Sequence, residues 1–340
     1  MYAVLCSLFQ LRGKKKNKCI AAAFVVLMMW IIYYVVYEYT VCGSDPYSFL
    51  SEHCFADTRT HSYKYLINEA EICKPLPDNI FLLIVVPSRT SEFEERQVIR
   101  QTWGSLAVNN TEIRLVFMLG YRPEIDQQVL KSESETYHDI IQEDFYDSYR
   151  NLSIKSEAIL RFANTFCSNV KYILKVDADV FVNLPALIED LRERGGTNMI
   201  MGYVFSFRMP FRDQGSKFYF ERISYPLTYL PTYLNGPAYV LSGDTPRKLL
   251  SVALNTKQYA LEDIFITGVV RKRAAVQLIH HRRFDYRKPF VDICWFEHKI
   301  IGHSFNKEQM LEIWSQKVQN KTCTTSIRVF YMLHDRLALW

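Results

Sequence analysis

The stretch Tyr172-Ile-Leu-Lys-Val-Asp177-Ala-Asp179-Val-Phe-Val-Asn183 carries an apolar strand straight into two acids. Residues i and i+2 of an extended segment project to the same side, so Asp177 and Asp179 present two hard oxygen ligands to one divalent cation at a strand end. A cation held by one or two carboxylates keeps some water ligands and neutralises the charge of a leaving diphosphate. An isolated Asp-x-Asp is commonly a surface turn; the apolar strand directly before it gives this one its weight.

Upstream, Phe81-Leu-Leu-Ile-Val-Val is a continuous apolar run stopped by Pro87, the pattern of a strand buried on both faces. A helix follows, with Ser91 as N-cap and Glu94 three residues on; Ile99 and Trp103 share one face, Arg96 and Arg100 another. Next come a strand near Ile113 to Met118, a helix opened by Pro123, a strand near Asp139 to Ile141 and a helix from about Leu152 to Phe166. This alternation predicts an α/β fold of βαβ units with a mostly parallel sheet. Ligands of such sheets bind off the carboxyl ends of the strands, where the two acids lie.

A second acidic pair, Glu262-Asp263, opens Ala260-Leu-Glu-Asp-Ile-Phe-Ile-Thr-Gly268. Acids at a helix start often do no more than complement the helix dipole. The chemical reading is a general base that takes a proton from an attacking hydroxyl. Between the two pairs, the Tyr225 to Ser242 block is rich in tyrosine and proline, either a platform for sugar rings or core packing.

The chain has 340 residues, 49% hydrophobic and 23% charged, which suits a folded protein and excludes disorder. Its net charge of +5 lies wholly in Arg12, Lys14, Lys15, Lys16 and Lys18; the rest is formally neutral, which speaks against nucleic acid as a partner. Directly after them, Cys19 to Tyr37 contains no charge and at about 1.5 Å per residue spans roughly a bilayer core of 30 Å. The basic flank and the aromatic far end predict an anchor with its N-terminus in the cytosol. A cleaved signal peptide is the competing reading, but its apolar core would be shorter and end at small residues.

The expected organisation is therefore a cytoplasmic tail over 1–18, a signal-anchor over 19–37, a lumenal stem over 38–78 and a catalytic domain over 79–340. In an oxidising lumen Cys42, Cys54, Cys73, Cys167, Cys294 and Cys323 form up to three disulfides, in a pairing that sequence does not choose. Sequons at Asn109, Asn151 and Asn320 agree with that placement.

Taken in order, Arg96-Gln-Val-Ile-Arg100-Gln-Thr-Trp103-Gly, Asp144-Phe-Tyr-Asp-Ser-Tyr-Arg-Asn151-Leu-Ser-Ile-Lys155, the Lys175 to Asn183 segment, the Tyr225 to Ser242 block and Glu262 to Gly268 resemble the lumenal β1,3-glycosyltransferases of glycosyltransferase family 31. The resemblance covers roughly residues 80 to 285. It implies a GT-A nucleotide-sugar-binding sandwich, a UDP-sugar donor, a glycan acceptor on protein or lipid, and Golgi residence. Galactose is the first expectation for the donor sugar and N-acetylglucosamine the alternative.

Carried over position by position, Asp179 ligates Mn²⁺, and Asp177 contacts the ion or the ribose. Arg96 and Arg100 lie near the nucleotide with Lys155, and Asp263 is the catalytic base with Glu262 as the fallback. The central acid of the common Asp-Asp-Asp motif is Ala178 here, and Leu234-Asn-Gly-Pro-Ala replaces a Cys- and Gly-containing turn, which puts donor or acceptor preference in doubt. His280 and His281 are candidates for a third metal ligand. The rivals are a glycoside hydrolase, which needs neither nucleotide nor metal, and a non-catalytic sugar-binding relative. Oligomeric state is not legible.

Overall fold

The computed structural model describes residues 24–30, 32, 63–74, 80–108, 110–222, 225, 227–287 and 289–337. The chain divides into two units, Met1–Asp57 and Thr58–Trp340. In the first, residues 24–30 and 32 are helical, and most of the expected anchor lies outside the described residues. Among the described residues no helix is long and apolar enough to cross a membrane.

The second unit is built on ten strands: β1 (Tyr65–Ile67), β2 (Leu82–Pro87), β3 (Ile113–Tyr121), β4 (Ile140–Tyr146), β5 (Tyr172–Val176), β6 (Phe181–Val182), β7 (Met199–Phe205), β8 (Tyr233–Ser242), β9 (Gln277–His280) and β10 (Ile301–Gly302). Eight of them form one sheet in the order β1-β4-β3-β2-β5-β8-β7-β9, while β6 and β10 pair separately. The stretch from β4 through β3 and β2 to β5 is parallel, as the alternation of elements predicts. β8 runs antiparallel to both β5 and β7, and β1 antiparallel to β4, so the sheet is mixed.

Leu82 to Val86 of β2 and Leu174 and Val176 of β5 have no exposed surface, because helices cover both faces of the parallel half. The helices are α1 (Phe93–Gln101), α2 (Gln127–Tyr137), α3 (Leu152–Phe166), α4 (Leu184–Arg194), α5 (Pro246–Ala253), α6 (Lys307–Val318) and α7 (Thr325–Leu337). Ile99 and Trp103 are fully buried, and the Trp103 indole donates to the Val180 carbonyl at 2.9 Å, pinning the turn that follows β5.

Three expectations change. The helix expected to open at Pro123 begins at Gln127, where the Asp126 carboxylate accepts from the Gln128 N–H at 2.9 Å. The N-cap of α1 is Glu92 rather than Ser91 and makes no side-chain capping bond; its carboxylate instead accepts from the Arg89 backbone N–H at 2.7 Å. The expected stem is part of the folded unit over residues 63–74: β1 extends the sheet beside β4, and Cys73 is disulfide-bonded to Cys167. Too few apolar residues mark β1 for periodicity to find it, since only three residues pair along one edge. Cys294 bonds to Cys323, and Cys42 and Cys54 lie outside the described residues.

Candidate active site

β2, β4 and β5 end at one edge of the sheet, and a cavity of about 490 Å³ opens there. Ser88 and Arg89 enter it from the end of β2, Asp147 and Tyr149 from the end of β4, Asp177 and Asp179 from the end of β5. Lys155 on α3, Lys217 and Lys307 add positive charge to a wall that already holds Arg89. Glu92 and Glu95 share that wall and Asp147 holds Lys155, so the cations are matched by acids, and a divalent cation on Asp177 and Asp179 would supply the charge that a diphosphate needs.

Asp177 and Asp179 both line the cavity, but Asp179 does so from a turn that the Val180 N–H closes on the Asp177 carbonyl at 3.2 Å rather than from an extended strand. Asp179 is exposed, and its carbonyl accepts from the Phe305 N–H at 3.1 Å. Asp177 keeps 38% of its side chain accessible from the pocket, while protein crowds it elsewhere. That desolvation, with the charges of Asp179 and Glu262, lifts its carboxyl to about 6 against the pull of Lys175.

Lys175 is the residue that sequence reading left without a role. Its Nζ reaches Asp177 Oδ1 at 2.6 Å, the Gly236 carbonyl at 2.7 Å and Glu262 Oε2 at 3.6 Å. Burial alone would lower its ammonium, but Asp177, Glu262 and Asp263 outweigh it and raise it, so the charge is kept. The signal was present: a lysine inside a fully buried strand, in register with Asp177 and Asp179 at period two.

Glu262 and Asp263 divide their work. Glu262 is 6% exposed and accepts the Tyr239 hydroxyl at 2.5 Å while facing Lys175, so it orders the interior behind the site and has no free edge for a substrate proton. Asp263 accepts from the Ile264 N–H at 2.8 Å through Oδ1. Its Oδ2 side lies over Gly236, where a Cβ would come within 3.3 Å of that oxygen. Burial, then the charges of Glu262 and Asp177, push the Asp263 carboxyl up to about 7, the range in which a carboxylate is an effective general base. Neither Glu262 nor Asp263 lines the cavity; Lys175 joins them to it, bonding Asp177 on one side and the Gly236 carbonyl and Glu262 on the other.

Arg96 and Arg100 are corrected. Arg96 has no exposed surface; it pairs with Glu133 at 2.6 Å and donates to Ser88 Oγ and the Arg89 carbonyl. Arg100 pairs with Glu133 and Asp139, both at 2.8 Å, and neither arginine lines the cavity. Two buried guanidiniums with carboxylate partners brace α1, α2 and β4, and Arg96 fixes the Ser88–Arg89 lip of the pocket. Lys155 does line the cavity, but it is 2% exposed, with Nζ on both Asp147 oxygens at 2.8 and 2.9 Å and on the Ser88 carbonyl at 2.7 Å. Burial lowers its ammonium despite Asp147.

Among the described residues no three His, Cys, Asp or Glu side chains gather as a metal-ligating group. His281 bonds Asp190 at 2.9 Å, and His280 accepts from the Val204 N–H, so neither completes a set with Asp177 and Asp179. Two carboxylates fit a hard divalent cation that takes its remaining ligands from water and diphosphate oxygens. Desolvation is the first cause of the lift in Asp177; the smaller part that comes from the charges of Asp179 and Glu262 is what such an ion would relieve. Of the sequons, Asn320 is exposed at the end of α6, Asn151 is half-buried with Nδ2 donating to the Tyr146 carbonyl, and Asn109 lies outside the described residues.

A family profile described as Galactosyltransferase matches residues 94–282, from α1 to the segment after β9. Mouse and human beta-1,3-galactosyltransferase 1 are each 34% identical over 296 residues, covering 82% of this chain and 89% of theirs. Human beta-1,3-galactosyltransferase 2 is 31% identical over 279 residues, covering 77% of this chain and 64% of its own. With the profile spanning both acidic pairs and the relatives spanning most of the folded unit, the chain belongs to the galactosyltransferase family, glycosyltransferase family 31, and is a hexosyltransferase.

Proposed function

We propose that the chain is an inverting β1,3-galactosyltransferase that moves galactose from UDP-galactose to a glycan acceptor on protein or lipid. The observation that carries the reading is the placement of Asp263 beside Gly236 with its carboxyl pushed up to about 7, next to a pocket that ends in Asp177 and Asp179. In this reading the diphosphate lies in the pocket among Arg89, Lys217 and Lys307. Asp177 and Asp179 hold Mn²⁺, which when bound neutralises the leaving diphosphate. Asp263 takes the proton of the acceptor hydroxyl as its oxygen attacks the anomeric carbon and the bond to UDP breaks. Lys175 and Glu262 hold the acids in place from behind.

The relatives' names support galactose over N-acetylglucosamine. We place the chain in the Golgi membrane as a single-pass type II protein, on the strength of the basic tail, the uncharged Cys19 to Tyr37 run and the disulfides of the folded unit.

Measuring UDP release by the full chain in detergent, with UDP-galactose, Mn²⁺ and a panel of acceptors, tests the reading. General base catalysis supplies about 10²- to 10⁴-fold, so Asp263→Asn should lose transfer by that factor and keep its affinity for UDP. Transfer at the full rate by the Asn variant would remove Asp263 from this role.

A further inference from the structure

An in-line transfer requires the acceptor to approach the anomeric carbon from the side opposite the diphosphate, beside the base. The phosphate pocket occupies the ends of β2, β4 and β5; beyond β5 the same edge of the sheet continues through β8, β7 and β9. Because β7 and β9 run parallel to one another and antiparallel to β8, the end of β7, the start of β8 and the end of β9 meet there. Four aromatic rings gather at that place. Tyr203 and Tyr286 have centroids 4.6 Å apart, Phe205 and Tyr286 5.2 Å, and Phe205 and Tyr233 5.6 Å. All four are half-buried rather than sealed into the core.

The cluster adjoins the proposed base. Tyr233 packs on Gly268, where a Cβ would come within 3.3 Å of the tyrosine Cβ, and the Leu234 N–H donates to Thr267 Oγ1, which itself donates to the Asp263 carbonyl. Arg208, exposed on the segment that leaves β7, lies with its guanidinium carbon 4.7 Å from the Phe205 ring centroid and has no carboxylate partner among the described residues. Elsewhere in the Tyr225 to Ser242 block Tyr225 and Tyr239 are buried and Tyr229 is exposed. Packing thus claims one part of that block and leaves Tyr233 at the surface.

We propose that Tyr203, Phe205, Tyr233 and Tyr286, with Arg208 at their edge, form the acceptor subsite, which takes the terminal pyranose of a glycan with the apolar face of its ring on the aromatic surface and its hydroxyls within reach of the guanidinium. The inference rests on the transferase reading above for the direction of approach. The chemistry of recognition is general: a pyranose offers one face of C–H groups to an aromatic ring, and its rim of hydroxyls accepts from Arg N–H groups.

The test is equilibrium binding of two reducing-end-capped disaccharides, one ending in β-galactose and one in β-N-acetylglucosamine, to the full chain in detergent with UDP and Mn²⁺ by saturation-transfer NMR. Wild type should bind one of them. Arg208→Ala, which removes an exposed side chain, and Phe205→Ala should each weaken that binding at least tenfold, and Phe205→Tyr should restore it. UDP affinity and the thermal midpoint of Arg208→Ala should not move. In transfer assays the same variants should raise the acceptor KM and leave the donor KM unchanged. Binding within twofold of wild type in both Ala variants, or no disaccharide binding by wild type, overturns the subsite. Wild type that binds a disaccharide through these residues yet transfers no sugar overturns the transferase reading alone.

Discussion

At the scale of single residues, the site depends on how a few charges share a small volume. Asp177, Glu262 and Asp263 act on one lysine, Lys175, and the structure separates them by what each oxygen already touches. Glu262 is spent on Tyr239 and Lys175, whereas Asp263 keeps its Oδ2 side against the one residue without a side chain, Gly236. A Cβ at position 236 would meet Asp263 Cβ at 3.2 Å, Oδ2 at 3.3 Å and Cγ at 3.4 Å, so the carboxylate would have to give by a few tenths of an ångström. Misplacement of a reacting group on that scale slows chemistry much more than it weakens folding. Gly236→Ala should therefore lower kcat by about tenfold or more while the KM for the UDP-sugar and the urea midpoint stay near wild type. A variant with full kcat would show that the close approach of Gly236 to Asp263 has no part in transfer.

At the scale of elements, the segment from β9 to β10 positions the aromatic cluster, and its anchor is Asp285. Burial alone would raise that carboxyl, but hydrogen bonds from Arg287 at 2.5 Å and Lys299 at 2.9 Å outweigh it and hold it at about 2. A folded-state pKa below the unfolded value of 3.8 adds stability above pH 3.8, and that stability is lost as pH falls towards 2. The shift corresponds to about 2 kcal/mol. The difference in unfolding free energy between wild type and Asp285→Asn, from urea titrations, should be full at pH 6 and shrink by about that amount between pH 4 and pH 2. A difference that does not change with pH would deny the carboxylate this role. Sequence reading found α3 and β5 closely, because Leu152 to Phe166 repeats its apolar residues at helical spacing and Tyr172 to Val176 is apolar but for Lys175, whereas it saw only the first part of β4. Strand-end spacing singled out Asp177 and Asp179, which line the cavity, and resemblance singled out Asp263, which lies behind Gly236. It missed the duties of Arg96 and Arg100, since a helix face carrying two arginines looks the same in sequence whether it meets phosphate or, as here, Glu133 and Asp139 on α2 and the approach to β4. It also missed β1, whose three residues are joined to the sheet by contacts with β4 from far along the chain.

At the scale of the whole molecule, the formal charge of +5 belongs to the tail before residue 19, and the neutral remainder concentrates its useful charge at one sheet edge. Two disulfides fasten distant segments of the folded unit to one another, and the longer lies at the edge opposite the pocket, before β5 begins. Cys73–Cys167 fastens the residues after β1 to the turn between α3 and β5, closing 94 residues; Cys294–Cys323 fastens the segment before β10 to the start of α7, closing 29. Cross-linking removes disorder from the unfolded chain in proportion to the logarithm of the loop, about 4.7 kcal/mol for the longer and about 3.6 kcal/mol for the shorter. Cys73, Cys167 and Cys294 are 2% exposed or less and Cys323 is half-buried, so each alanine pair also removes sulfur from packed surroundings, and the difference between the two pairs reads the loop length. The Cys73→Ala/Cys167→Ala double variant should lose more stability than Cys294→Ala/Cys323→Ala, by about 1 kcal/mol in chemical denaturation. It should also lower the protection of β1 amides in hydrogen exchange, because only three residues pair along that edge and the bond reinforces them. Equal losses, or β1 amides protected as in wild type, would mean that β1 is held by its pairing with β4 and that the region before residue 75 is a folded part of the domain without help from the bond.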